Sequence, residues 1–116
     1  MAEEFTSITT VAQACEAFVL SLKESRYYDA HEDLEAIWFP RRFEDDDEVK
    51  LWKGFINAAV CFELIRKGRL NASQTAWKTY LKYCPFLETL TGEHCGTYVK
   101  IVHLIEEIRS YQCPNS

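Results

Sequence analysis

The residues best equipped for chemistry fall in one stretch, Tyr27-Tyr28-Asp29-Ala30-His31-Glu32-Asp33-Leu34-Glu35-Ala36-Ile37-Trp38. A histidine and two glutamates recur there at helical spacing beside large apolar side chains. Helix positions three and four apart are neighbours, so His31, Glu32 and Glu35 can share one side, which Trp38 extends by a turn. An imidazole and a carboxylate set in an apolar wall make a general acid–base pair, so His31, Glu32 and Glu35 are the candidate catalytic residues. The segment also differs by one residue from His-Glu-x-x-His, the zinc-protease motif, with Glu35 standing where the second histidine would be. A His/Glu pair four apart can hold a divalent metal once a third ligand arrives. Glu63 is the nearest one, which makes His31, Glu35 and Glu63 the candidate metal ligands for hydrolase-type chemistry. Glu-x-x-His, the motif of di-iron helical bundles, does not occur.

Each of these residues also has a plainer reading. His31 as a neutral imidazole can donate to Glu35 or to a carbonyl and anchor a helix contact. Glu32 lies three residues after Asp29, the spacing of a capping box. Glu35 can accept from Trp52, a tyrosine or Arg42, or extend to solvent. Trp38, Trp52 and Trp77 read most simply as core.

The elements that must position this stretch are helices. Only four glycines and three prolines punctuate 116 residues, and no alternating run is flanked by hairpin turns. Thr10 and Gln13 make a capping box for a first helix with Val11, Cys15, Phe18, Val19 and Leu22 on its apolar face. A second helix is predicted over 30–38, with Asp29 as N-cap and Pro40 ending it. The acidic run Glu44 to Glu48 lacks the glycine and spaced glutamate of a calcium loop and reads as a solvated helix start. The third helix, over about 48–67, is apolar nearly all round and therefore central. Its polar exceptions, Asn57 and Glu63, need partners, and His31, Glu32 and Glu35 are the partners on offer. Gly68 suits its C-terminal turn. A fourth helix is expected from Asn71, with Gln74 completing a capping pattern, up to Pro85. A short helical turn through Phe86, Leu87 and Leu90 follows, and then a last helix over 97–111. No internal repeat is evident. The expectation is an all-α, single-domain bundle of about five helices spanning 1–116.

Two blocks and a turn carry a resemblance. Arg26 to Trp38, which holds the pattern aromatic-acidic-Ala-His-Glu-x-x-Glu-x-x-Trp, resembles the signature of the family called domain of unknown function 309, small and mostly prokaryotic all-helical proteins. Trp52-Lys53-Gly54-Phe55-Ile56-Asn57-Ala58-Ala59-Val60-Cys61-Phe62 is similar to its second block, and Lys67-Gly68-Arg69-Leu70-Asn71-Ala72 is a looser copy of its turn. Lys53 and Asn57 stand where the family has two glutamines, and Arg69 and Asn71 where its turn has Asn and Gly. The resemblance implies a helical fold and a site near His31. It implies no reaction.

The formal net charge of -5 counts against nucleic-acid binding, which rests on phosphate neutralisation. The first residues, Met-Ala-Glu-Glu-Phe-Thr, have no apolar core of a secretion signal, and no run reaches the roughly 20 residues that span a membrane. The five cysteines include no Cys-x-x-Cys pair. A reduced, cytoplasmic protein without membrane or nucleic-acid partner is expected. No cofactor motif is present; a divalent metal is the one cofactor the residues admit. Tyr27 or Phe43, as a surface aromatic, could bury itself in a homodimer. The leading functional reading is a binding or scaffold protein whose His/Glu cluster is a buried polar network. The alternative is a small-molecule pocket or metal site on the His31, Glu32, Glu35 face, with Trp38, Asn57 and Glu63 as ligand-binding candidates.

Overall fold

A computed structural model describes residues 9–113. The acidic N-terminal stretch and Pro114 lie outside these residues. The chain forms five α-helices: α1 Val11–Lys23, α2 Tyr27–Trp38, α3 Asp47–Arg66, α4 Leu70–Tyr83 and α5 Cys95–Gln112. A 3-10 turn, Phe39–Arg41, follows α2, and a second, Cys84–Thr89, follows α4. The protein is an all-α bundle, as the helical periodicity requires.

Helix α3 is the centre. Ten of its 20 residues are buried, and at about 100° per residue they wrap most of its circumference, leaving a half-buried strip through Lys53, Asn57, Val60 and Leu64. Phe18 of α1, Leu34 of α2, Tyr80 of α4 and Tyr98 of α5 are all sealed with it in one core. Phe18 and Phe55 stack with ring centroids 6.2 Å apart, and Phe62 lies between Tyr27 and Trp77. Gly54 brings α3 against the end of α4. A Cβ placed there would stand 3.0 Å from Tyr83 Cβ.

The helix starts follow two rules. Thr10 caps α1 with the reciprocal bonds of a capping box: its Oγ1 accepts from Gln13 N at 3.1 Å, and Gln13 Oε1 accepts from Thr10 N at 2.9 Å. Asp46 caps α3 by accepting from Glu48 N and Val49 N, so the acidic run is a helix start. The other starts are set by the preceding helix. At the end of α1, Ser25 takes φ 60°, Ser25 N donates to Leu22 O and Arg26 N donates to Ser21 O. At the end of α3, Gly68 takes φ 75°, Gly68 N donates to Ile65 O and Arg69 N donates to Leu64 O. Arg26 and Arg69 then adopt the same backbone angles, φ -93° and -94° with ψ 72°, as the residue before the next helix. One three-residue turn is thus used twice, joining α1 to α2 and α3 to α4 as two helical hairpins.

This turn corrects two expectations. Helix α2 begins at Tyr27, so Asp29 lies in its first turn, where it pairs with Arg26 at 3.0 Å instead of capping with Glu32. Helix α4 begins at Leu70, so Asn71 is already helical and makes no cap with Gln74. The last helix also starts two residues early, at Cys95. Tyr27 packs edge-on against Phe62 and is 7% exposed, which removes it as a surface aromatic; Phe43, 88% exposed, keeps that place.

Candidate functional site

The motif helix divides its residues between two tasks. Ala30, Leu34 and Ile37 face the core, while His31 stands at the rim beside them. This is the outcome of three- and four-residue spacing: Ala30, Leu34 and Ile37 make one stripe, and His31 is turned 100° from Ala30. Asp33 completes the inward side by accepting from the buried Ser21 hydroxyl at 2.7 Å, a polar link from α1 to α2.

His31 has a fixed orientation. Its Nδ1 lies 2.9 Å from the carbonyl oxygen of Tyr28, and its ring leans on the Tyr28 ring at 5.1 Å. A carbonyl can only accept, so the Nδ1 position carries the hydrogen. Nε2 is then the lone-pair nitrogen of the neutral ring, and it lies 3.4 Å from Glu35 Oε1. When the ring is protonated, Nε2 donates to that carboxylate. The imidazole is 20% exposed and the Glu35 side chain 42% exposed, so the pair is reached by water.

A cleft of about 250 Å³ opens beside this histidine. Tyr27, Tyr28 and His31 of α2 form one wall, and Val60, Glu63 and Leu64 of α3 the other. Glu63 is 12% exposed, and its two oxygens are engaged by Arg66 at 2.8 Å and by Lys67 at 3.5 Å. The structure therefore brings His31 and Glu63 into one space, with Glu35 against the ring.

The other candidates lie elsewhere. Glu32 is exposed on the outer face of α2. Trp38 packs at the core edge against Phe39. Asn57 donates from Nδ2 to Lys53 O in its own helix, 2.9 Å away, and makes no bond to the motif. Glu63 likewise uses partners at its own helix end. The expected buried network, in which His31, Glu32 and Glu35 would partner Asn57 and Glu63, is thus not formed among the described residues. These positions of α3 are only half-buried, and partners on their own helix satisfy them. The geometry also assembles no metal centre: among the described residues no group of three His, Cys, Asp or Glu side chains converges.

The buried polar network is a different one. Trp52 Nε1 donates to the Tyr98 hydroxyl at 2.9 Å, and that hydroxyl donates to the carboxylate of Glu48. The sequence held its signal: Trp52 and Tyr98 both sit on apolar stripes, and a buried indole or phenol needs a polar partner. Glu48 lies four residues before Trp52, on the same side of α3. Burial and the hydrogen bond to Glu48 push the Tyr98 hydroxyl well above the ordinary phenol range, so it stays a donor.

Residues 15–76 match the model of the family described as a domain of unknown function (DUF309). That span holds α2, α3 and both walls of the His31 cleft, and it stops before α5. No curated protein and no solved structure matches the chain.

Proposed function

We propose that this chain, which belongs to the DUF309 family, is a small ligand-binding protein whose recognition site is the His31 cleft. The observation that carries the reading is the imidazole itself. Its Nδ1 hydrogen is committed to Tyr28 O, and the ring lines a largely apolar cleft within reach of solvent. A ligand would lay an apolar body against Val60 and Leu64 and offer a hydroxyl or acid group to Nε2. Clefts of this kind, mostly apolar with a few oriented polar groups, are typical of small-molecule sites. The His31–Glu35 pair also suits proton transfer, since Glu35 would stabilise the imidazolium formed when Nε2 takes a proton. Binding is preferred because Glu63, the further acid in the cleft, is already neutralised by Arg66 and Lys67.

A screen of phenols and short carboxylic acids against the labelled protein, followed by amide NMR, tests this. Binders are expected to shift resonances of Tyr28, His31, Val60, Glu63 and Leu64 and to lose at least tenfold in affinity in His31→Ala. Shifts confined to other surfaces, or affinities unchanged in that variant while it stays folded, would return the motif to a purely structural role.

A further inference from the structure

A second site is built around Glu48. Four of the five acids in the run Glu44 to Glu48 have partners that explain them. Glu44 pairs with Arg41 and Asp45 with Lys50. Asp46 caps α3, and Asp47 accepts from Thr89. Glu48 has no cationic partner among the described residues. One of its oxygens, Oε2, accepts from Tyr98; among the described residues no donor meets the other, Oε1. The carboxylate faces a cleft of about 240 Å³, closed by Leu90, Thr91, His94 and the Tyr98 side chain. His94, whose ring lies 6.2 Å from that of Tyr98, is already paired with Glu93 at 3.3 Å. Tyr98 cannot serve as Glu48's cation, and its hydroxyl is held in place by Trp52.

A partly desolvated carboxylate with a free oxygen favours a positive partner. Hard metal cations take six or more oxygen ligands, or several retained waters, and this cleft offers the half-buried carboxylate of Glu48 and the exposed one of Glu93, which already meets His94. Beside the polar Thr91, Glu93 and His94, Leu90 and the Tyr98 ring give it an apolar and aromatic side, which suits a short carbon chain bearing an ammonium near a ring face. We propose that this cleft binds a primary ammonium group carried on a short apolar chain, with Glu48 Oε1 as its counter-charge. The site shares no lining residue with the His31 cleft. All of its lining residues except Glu48 lie beyond the part of the chain that matches the family model.

The test is amide NMR on the full chain, titrated with n-butylammonium chloride at constant ionic strength, with n-butanol as an uncharged match of similar shape. Saturating shifts are expected at Glu48 and across 90–98, at least tenfold weaker for butanol and at least tenfold weaker in Glu48→Gln, which keeps an acceptor for Tyr98. Absence of saturation, equal binding of butanol, or unchanged binding in a folded Glu48→Gln would each overturn the assignment. If Glu48→Gln fails to fold, the butanol comparison on the unaltered protein still decides.

Discussion

Leu34 and His31 stand three residues apart in the same motif and do different work. Leu34 is sealed beneath α3, whereas His31 makes one bond to its own helix backbone and one water-exposed pairing. Leu34→Ala is expected to cost about 2–5 kcal/mol, the transfer term plus the cavity it leaves. His31→Ala should cost less than about 1 kcal/mol, because its partners can turn to water. Urea unfolding of the two variants checks this. Equal losses would mean that His31 is a packing residue and that the cleft beside it is incidental. The motif as a whole therefore has a structural stripe, Ala30, Leu34 and Ile37, with one oriented imidazole on its edge.

At the scale of elements, the twice-used turn governs where helices begin. The first copy has Ser25 in the left-handed region, where a Cβ is crowded, and the second has Gly68. Gly68→Ser should destabilise by about 1 kcal/mol, and Ser25→Gly should stabilise by less than that, since glycine also frees the unfolded chain. Thermal melts of both variants test the pair; opposite signs are the required outcome. Gly54→Ala tests the α3–α4 approach. Helix propensity alone favours alanine by about 1 kcal/mol. The contact with Tyr83 Cβ is backbone-proximal and cannot swing away, so a net loss of about 1–3 kcal/mol is expected. A stabilised variant would show that the two helices can part at little cost. The same turn explains what was legible beforehand. Periodicity in Val11 to Leu22 and in Leu51 to Ile65 gave the helices and their buried faces. The pairs Asp29/Glu32 and Asn71/Gln74 looked like caps because capping is a local pattern. Their neighbours Arg26 and Arg69 were already tied back to Ser21 and Leu64, and so the helices began earlier. Which half-buried side faces which neighbour is a matter of packing, and for that reason Glu63 shares a cleft with His31 while Asn57 does not.

Across the whole molecule, the core collects weak acids from four helices: Cys15 from α1, Cys61 from α3, Tyr80 from α4 and Tyr98 from α5. Burial is the main reason each holds its proton more tightly than in a free chain. The Cys15 thiol is pushed up to about 12 from 9.0, with the nearby Glu48 charge adding to the effect. Cys61 rises for the same cause, partly offset by Arg109, whose guanidinium donates to its Sγ and covers the Trp77 face. Both tyrosines rise above their ordinary value of 10.0. The unfolded chain therefore releases these protons first. Their contribution to stability is fully present below about pH 9, where both states are protonated, and is lost as pH climbs past the unfolded thiol and phenol values toward the folded ones. Each group that is ionised only when unfolded lowers stability by about 1.4 kcal/mol per pH unit. Urea unfolding under reducing conditions should show constant stability from these groups up to pH 9 and a steepening decline by pH 10.5. Cys15→Ala and Tyr98→Phe should each flatten that decline, Cys15→Ala from about pH 9 and Tyr98→Phe only from about pH 10. A stability that stays level to pH 10.5 would mean that water reaches these side chains, and that the helices around α3 are packed far more loosely than their sealed aromatic contacts require.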